Sequence, residues 1–331
     1  MGKAFAIDMH SHYYGGLVDS LMLRAQRPYV SRSEKGDLVL NAMTASTVMS
    51  KGYVDLDARL AYLDASAIST QLLTFPGALG VDVLPFEDFG KAILSFNEHL
   101  STVCRESKGR FVGLAGLPLA NPVEAVKELH RARRDLGLAG AILPGNYFLT
   151  LKDMHQLDAL FAAAHETRSL LMIHPGLMPG EIAPAPYADE TVMRASALNL
   201  QSSLSHMGLS VLAGKLAEHY PNAVFQLVNL GGTLPFIVER MEAVASSREP
   251  RLDFTRSSLR GMVYDCASLG PRALELAVRI FGADRVMLGT DYPIFQPDQV
   301  RNTIEAAELS EKDRQMVLRG TAERVLDRVF S

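Results

Sequence analysis

Residues 154–176 read MHQLDALFAAAHETRSLLMIHPG, and this stretch indicates the fold class of the whole chain. Its first part, near Met154–Thr167, repeats apolar residues at the spacing of an amphipathic helix. Its second part, Leu170–His174, is an unbroken apolar run that ends in a histidine and is followed by Pro175 and Gly176. Such runs are typical of parallel strands that are covered on both faces. The stretch therefore predicts a helix that leads into a buried parallel strand.

The same alternation extends over the whole chain. Further apolar runs predict strands near Phe5–Met9, Ile68–Phe75, Arg110–Leu117, Ala139–Leu143, Ala223–Asn229, Gly261–Cys266 and Arg285–Gly289. Helical periodicity is found near Asp57–Ser66, Phe89–Lys108, Pro122–Leu136, Glu190–His219, Pro235–Ser246, Pro271–Phe281, Gln296–Glu308, Glu311–Arg319 and Ala322–Val329. Strand-then-helix units in this order predict one α/β domain, a (β/α)8 barrel of residues 1–331. A doubly wound sheet is the alternative, because short apolar runs can be miscounted.

Two segments do not fit the repeating unit. Residues Tyr13–Val54, between the first and second strands, form a long stretch that we expect to be irregular. An insertion of this length in a barrel is usually a lid or wall of the substrate site. The loop Pro175–Asp189 is rich in Pro, Gly and Ala, and we expect it to form another wall.

Composition excludes several classes of protein. The 331 residues are 48% hydrophobic and 21% charged, with a net charge of −4, so a basic surface for nucleic acid is not expected. The two cysteines, Cys104 and Cys266, support neither a disulfide framework nor a thiolate metal site. No apolar run is long enough to span a bilayer, and the first residues lack the pattern of a signal peptide. We therefore expect a cytoplasmic protein with a small-molecule substrate.

Four residues at the predicted strand ends have side chains that bind metals. The first strand ends in Asp8-Met9-His10-Ser11-His12, and alternate residues of a strand point to the same face, so His10 and His12 converge. His174 ends the fifth strand, and Asp291 follows the eighth. In a barrel, all strand ends meet at one rim. The sequence therefore predicts that these three histidines and one aspartate hold one divalent metal there.

The ligand types indicate which metal and which chemistry. Neutral imidazoles with one carboxylate suit zinc best, and manganese is also possible. Such an ion either activates a bound water or polarises a substrate oxygen. Asp291 could bind the metal and also exchange a proton. Asp8 shares the face of His10, so it is either a partner of the metal ligands or a buried hydrogen-bonded carboxylate.

Several motifs resemble those of one enzyme family. IDMHSH at 7–12, LLMIHP at 170–175, NLGGTLPFIVERM at 229–241 and MLGTDYP at 287–293 are similar to motifs of the amidohydrolase superfamily. They resemble the branch that contains aminocarboxymuconate-semialdehyde decarboxylase. The resemblance implies a distorted (β/α)8 barrel with one metal, zinc or manganese, held by His10, His12, His174 and Asp291. It also implies a homodimer.

One position departs from the family pattern. The family has a catalytic histidine before the Gly-Gly of the sixth strand, where this chain has Asn229. Asparagine cannot exchange a proton near pH 7, although it can form hydrogen bonds with a substrate. His206 on a neighbouring helix could replace the histidine, or it could be an ordinary helical residue. Arg240 matches an arginine that binds a substrate carboxylate, in some members across a dimer interface, but a surface arginine is an equal interpretation.

Three functions follow from these residues. The first is metal-dependent decarboxylation of a small aromatic or unsaturated carboxylic acid, which the resemblance favours. The second is hydrolysis of a cyclic amide, ester or lactone by metal hydroxide with Asp291 as base, which Asn229 favours. The third is a barrel that binds ligands without catalysis, and the complete set of metal ligands argues against it.

Overall fold

The computed structural model describes residues 6–43, 46–182, 193–248, 256–267, 269–295 and 297–331. Their strands, in chain order, are β1 (Ala6–Asp8), β2 (Tyr29–Arg32), β3 (Leu38–Asn41), β4 (Ser46–Val48), β5 (Ile68–Thr74), β6 (Phe111–Ala115), β7 (Gly140–Pro144), β8 (Leu170–His174), β9 (Val224–Leu227), β10 (Val263–Asp265) and β11 (Val286–Met287). The large sheet is parallel, in the order β1-β5-β6-β7-β8-β9-β10-β11, and β2, β3 and β4 form a separate antiparallel sheet.

Helices follow the strands of the large sheet and cover it. In chain order they are α1 (Val18–Met22), α2 (Leu56–Ala65), α3 (Lys91–Glu106), α4 (Pro122–Arg134), α5 (Leu151–Met154), α6 (Asp158–Glu166), α7 (Leu200–Ala213), α8 (Leu216–His219), α9 (Leu234–Arg248), α10 (Pro271–Phe281), α11 (Pro297–Ala306), α12 (Glu311–Gln315) and α13 (Thr321–Phe330). Local sequence explains where they begin: α4, for example, has Pro122 in its first turn, and the Asn121 side chain accepts a hydrogen bond from the Glu124 backbone. Within the described residues, no helix is both long and apolar enough to span a bilayer.

Backbone hydrogen bonds close the large sheet into a barrel. The Met9 N–H donates to the carbonyl of Leu288 at 2.9 Å, and the His12 N–H donates to that of Tyr292 at 2.7 Å. The last strand thus returns to the first. The predicted (β/α)8 barrel is confirmed, and the doubly wound alternative is wrong because the strand order never reverses.

The predicted strands all exist within a few residues of their expected bounds, but two helices differ. The helix expected at Glu190–His219 is divided into α7 and α8, because Lys215 has a φ of 49° and ends the helical path. The helix expected at Met154–Thr167 is interrupted, and α6 begins only at Asp158. Residues 5, 190–192 and 296, at three predicted ends, lie outside the described residues.

The inserted segment Tyr13–Val54 is not irregular as expected, because it contains α1 and the antiparallel sheet β2-β3-β4. Strands β2 and β3 pair in register from Tyr29 with Asn41 to Arg32 with Leu38. The turn between them requires Gly36, whose φ of 87° lies in the left-handed region. Residues 44 and 45 lie outside the described residues.

The second expected wall, Pro175–Asp189, is described as far as residue 182. Glu181 anchors this part beside β7, because its carboxylate accepts hydrogen bonds from the Asn146 side chain at 2.9 Å and from the Met178 N–H at 2.8 Å. Asn146 also donates its backbone N–H to the Gly176 carbonyl at 3.0 Å. Residues 175–182 therefore lie at the same rim as His174.

Candidate metal centre

The four predicted metal ligands come together at the barrel mouth. The imidazole centroids lie 5.2 Å apart for His10 and His12, 5.3 Å for His10 and His174, and 4.8 Å for His12 and His174. One potential ligand atom from each of these histidines and from Asp291 lies within 4.8 Å of the other three. The convergence that the sequence predicted is confirmed.

Hydrogen bonds at Nδ1 determine which nitrogen of each ring faces the centre. The His10 Nδ1 lies 3.1 Å from the Asp265 carboxylate, and the His174 Nδ1 lies 3.0 Å from the Pro175 carbonyl. The His12 Nδ1 lies 3.0 Å from Oγ1 of Thr74, whose own hydroxyl donates to the Ser11 carbonyl at 2.9 Å. Each partner is thus an acceptor, so each Nδ1 carries a proton, and Nε2 is the nitrogen that faces the centre.

This arrangement brings together buried atoms that can bind a cation. The Nε2 atoms of His10 and His12 and Oδ1 of Asp291 are buried and have no hydrogen-bond partner among the described residues. The Asp291 Oδ1 nevertheless lies 3.0 Å from Nε2 of His12 and 3.5 Å from Nε2 of His10. Buried acceptors that face one another are unfavourable unless a cation lies between them. The donor set therefore fits a divalent ion such as zinc or manganese.

Electrostatics at the centre follow from burial and from the carboxylates. Burial alone would lower the pKa of His10, but the charges of Asp265 and Asp291 raise it to about 9. Burial lowers the pKa of His12, and it holds the pKa of His174 well below its usual range with help from the other two imidazoles. Burial would raise the pKa of Asp291, but the three histidines lower it. A carboxylate is thus favoured at Asp291 and neutral rings at His12 and His174.

Asp8 fixes the position of Asp291 indirectly. Its carboxylate accepts hydrogen bonds from the Thr290 hydroxyl at 2.6 Å, the Thr290 N–H at 2.9 Å and the Gln71 amide at 2.7 Å. The next residue, Asp291, donates its N–H to the His10 carbonyl at 2.8 Å and has a φ of 56°. Of the two interpretations of Asp8, the structure favours the buried hydrogen-bonded carboxylate.

Sequence reasoning missed Asp265, which orients His10. It is fully buried and also accepts hydrogen bonds from the Gln226 amide at 3.0 Å and from the Asn229 N–H at 3.2 Å. Gly289 makes its contact with His10 possible, since a Cβ there would lie 2.7 Å from the Asp265 Cβ and 2.8 Å from the His10 Cβ. The available signal was a carboxylate at the last position of an apolar strand.

Arg59 on α2, also missed, ties the metal centre to the inserted segment. Its guanidinium is fully buried and donates to the Gln71 side chain at 2.7 Å, the Gly52 carbonyl at 2.6 Å and the His12 carbonyl at 2.5 Å. It also lies over the Tyr292 ring, 4.8 Å from the centroid. One side chain thus connects a metal ligand, the insertion and the loop after β11.

Two tyrosines of the inserted segment lie near the metal ligands. Tyr14 and Tyr53 stack at 4.7 Å between centroids, and the Tyr14 N–H donates to the Tyr53 carbonyl at 2.8 Å. Burial and then the charge of Asp291 raise the pKa of Tyr53 to about 12. Burial, then Tyr53 and then Asp291 raise the pKa of Tyr14 well above its usual range. This proximity to Asp291 supports the interpretation of the segment as a wall of the site.

The remaining predicted residues are not all at the centre. Asn229 is buried at the end of β9 with a φ of 53°, and its contact with Asp265 places it beside the partner of His10. Arg240 and His206 are exposed on α9 and α7, outside the buried cluster. His206 therefore does not take the place of the family's catalytic histidine, whose position Asn229 occupies. The substrate-binding role of Arg240 stays a prediction.

Comparison with known proteins gives a consistent result. The family model of the amidohydrolases matches residues 7–328. The chain is 26% identical over 283 residues to 2-amino-3-carboxymuconate-6-semialdehyde decarboxylase of Dictyostelium discoideum, which covers 81% of this chain and 75% of that protein. It is 25% identical over 299 residues to gamma-resorcylate decarboxylase of a Rhizobium species, with 81% and 86% covered.

Solved structures share the fold. A 5-carboxyvanillate decarboxylase of Novosphingobium aromaticivorans, crystallised with manganese and 4-hydroxy-3-methoxy-5-nitrobenzoic acid, superposes with a TM-score of 0.72. It is 21% identical, and the match covers 98% of this chain and 96% of that one.

Proposed function

This chain belongs to the amidohydrolase family, and on that basis we propose that it is a metal-dependent decarboxylase of a small aromatic or unsaturated carboxylic acid. The observation that carries the proposal is the buried cluster of three imidazoles and one carboxylate, whose four potential ligand atoms lie within 4.8 Å of one another. The decarboxylases to which the chain is similar over most of its length support the reaction type.

His10, His12, His174 and Asp291 would hold the metal in this proposal. A divalent ion bound there would act as a Lewis acid toward an oxygen of the substrate. We propose zinc, with manganese as the alternative; manganese is present in the structure of the 5-carboxyvanillate decarboxylase. The hydrogen bonds at the three Nδ1 atoms would keep the rings oriented while the substrate binds.

Asp291 is the residue that we assign to proton transfer. Decarboxylation breaks the bond between the carboxylate carbon and its neighbour, releases carbon dioxide and places a proton on that neighbour. Because the histidines lower the pKa of Asp291 despite its burial, the group is ionised in the resting protein. It must therefore take a proton from the bound substrate or from water before it delivers one.

Asn229 and Arg240 have supporting roles in the proposal. The Asn229 amide, at the end of β9, would orient the substrate through hydrogen bonds, because it cannot act as an acid or base. Arg240, exposed on α9, would bind a substrate carboxylate in the site of a second subunit. The enzyme would then be a cytoplasmic homodimer, in agreement with a chain whose two cysteines are both free thiols.

Release of carbon dioxide tests the function. Protein loaded with zinc or manganese is assayed with a panel of hydroxybenzoates and muconate semialdehydes. We expect turnover of at least one acid, and we expect Asp291→Asn to lower kcat by roughly 100-fold or more. Asparagine is the matched replacement because it tolerates the left-handed backbone of residue 291. Failure of the metal-loaded protein to release carbon dioxide from the panel would contradict the proposal.

Hydrolysis is the second candidate, and Asn229 is the observation that favours it. A metal held by the three histidines and Asp291 would activate water, and Asp291 would act as the base, so the missing histidine would be no obstacle. The same protein preparations are therefore assayed with lactones and cyclic amides. Hydrolysis of a lactone without carbon dioxide release from any acid would establish this alternative.

A further inference from the structure

Besides Asp8, Asp265 and Asp291, another buried carboxyl group lies at the barrel mouth, and the metal centre does not use it. Asp82 belongs to the loop between β5 and α3 and is 0% exposed. Neither of its carboxylate oxygens has a hydrogen-bond partner among the described residues. The Nε2 atoms of His10 and His12, which would bind the metal, are likewise buried without a hydrogen-bond partner among the described residues. Burial raises the pKa of Asp82 well above its usual range, which favours the neutral carboxyl, and its unpaired oxygens still call for a ligand that satisfies them.

Neighbouring residues locate this carboxylate. A Cβ on Gly77 would lie 3.2 Å from Oδ2 of Asp82 and 3.6 Å from Cγ2 of Ile142. On β7, Ile142 lies two residues before Pro144, which pairs with His174 on β8. Because alternate residues of a strand share a face, Ile142 and His174 point into the same space inside the barrel. The Asp82 carboxylate therefore lies against the inner face of the mouth.

Two further contacts place Asp82 beside the metal centre. Strand β5, which precedes the Asp82 loop, ends at Thr74, the partner of His12. Gly176 lies two residues beyond His174. If Gly176 had a Cβ, that atom would lie 3.6 Å from the Gly77 carbonyl oxygen. The loop that carries Asp82 is thus enclosed between the chain segments that hold two of the metal ligands.

The surroundings of Asp82 indicate what it can bind. Burial, and then the charge of Asp82, raise the pKa of Tyr147 to about 12, so the phenol and the carboxylate are neighbours. Among the described residues, Asp82 belongs to no group of three or more His, Cys, Asp or Glu side chains that could hold a metal. The described residues therefore supply no second metal site at Asp82. A carboxyl group without a partner, next to a substrate site, matches a substituent that donates a hydrogen bond.

We propose that Asp82 determines substrate specificity by binding a hydroxyl or amino substituent of the aromatic acid, at the side of the mouth formed by β5 and β7. The inference rests on the proposed decarboxylase function and narrows its substrate class to acids with such a substituent in addition to the group on the metal. A site built to bond a polar substituent discriminates strongly against the analogue that lacks it, since the buried carboxylate is then left unpaired.

Substitution of Asp82 by leucine, which has a similar volume and no polar atom, tests the proposal. The probes are 2-hydroxybenzoate and its ring-hydroxylated and ring-aminated derivatives, with manganese-loaded wild type and Asp82→Leu. For the derivative that wild type prefers, we expect kcat/KM to fall at least tenfold in Asp82→Leu. For 2-hydroxybenzoate, we expect a change of less than threefold. An equal loss for all probes, or no loss for any, overturns the proposal.

Thermal stability separates a binding role from a structural one. Asp82→Leu should raise the Tm of the protein without substrate, because it removes a buried, unpaired carboxylate. Glu128→Gln is the matched control: Glu128 is 4% exposed, but its carboxylate accepts hydrogen bonds from Asn97 at 2.6 Å and Arg131 at 2.8 Å, so its loss should lower Tm. A lower Tm for Asp82→Leu would make Asp82 a structural residue and overturn the inference.

The two proposals can fail separately. If wild type decarboxylates no probe, the proposed function fails, and calorimetric affinities of the same probes for both proteins then decide on Asp82. A selective loss of affinity for the hydroxylated or aminated probes still supports the role of Asp82. Equal affinities in both proteins overturn it.

Discussion

At the scale of one residue, Asp265 orients a metal ligand, His10, through a hydrogen bond that does not depend on the metal. It accepts hydrogen bonds from two backbone N–H groups and the Gln226 amide, which leaves it fixed against His10. The His10 ring can then present only Nε2 to the centre. The orientation of the ligand is thus set by a carboxylate two strands away in the barrel order.

Replacement of Asp265 by asparagine should weaken metal binding. The amide cannot accept as many hydrogen bonds, and it no longer stabilises the proton on Nδ1 of His10, so we expect the metal affinity to fall roughly 10- to 100-fold. Competition with a chromophoric chelator measures the affinity. Asp158→Asn is the control, because Asp158 pairs with the exposed His155 at the same distance of 3.1 Å. Equal affinities for the two variants would contradict this role of Asp265.

The sequence predicted the four metal ligands but not the residues that orient them. His10, His12, His174 and Asp291 each follow an apolar strand, so the barrel alone brings them to one rim. Asp265 follows a strand as well, yet its contact with His10 depends on the absence of a side chain at Gly289. The roles of Thr74 and Arg59 depend on contacts with backbone carbonyls and aromatic or imidazole rings. The pattern of residue types does not specify where those groups lie.

At the scale of elements, Arg59 holds helix α2, strand β5, the residues after β1 and the inserted segment together. Arg59→Ala would leave several buried acceptors without a donor, among them the carbonyls of His12 and Gly52. At about 1–3 kcal/mol for each unsatisfied group, we expect the free energy of unfolding to fall by about 3 kcal/mol or more. Denaturant titration measures this loss.

Arg314 provides the comparison for Arg59. It also donates to several carbonyls, including that of Ile304, but its side chain is 21% exposed, so water can replace some of the lost hydrogen bonds. Arg314→Ala should therefore destabilise the protein clearly less than Arg59→Ala. If both variants lost a similar free energy of unfolding, the burial of Arg59 would make no extra contribution to stability.

The sequence predicted helices and strands well where burial sets the pattern of apolar residues. It predicted them poorly where a turn determines where the element begins or ends. The strand Leu170–His174 and the helix Pro271–Phe281 have the bounds that the sequence predicted. The small sheet in the insertion was missed because its strands are three or four residues long and only partly buried. Periodicity cannot identify strands that short.

At the scale of the whole molecule, α9 has an exposed apolar side chain that a second subunit would cover in the proposed dimer. Phe236 is 80% exposed there, and Arg240 lies one helical turn further along. We expect a dimer in solution that Phe236→Asp converts to a monomer, since the substitution places a charge in an apolar interface. Light scattering coupled to size exclusion measures the mass. Val123→Asp on α4, at a side chain that is 63% exposed, is the control and should leave the mass unchanged.

The closure of the barrel between Met9 and Leu288 has a consequence for how the enzyme is made. Asp291, which donates its N–H to the His10 carbonyl, is translated long after His10 and His12. The two imidazoles therefore have no carboxylate partner until the last strand of the barrel has been translated. A polypeptide that stops short of Asp291 can neither close the sheet nor assemble the full ligand set, so metal binding would distinguish chains that have reached this point.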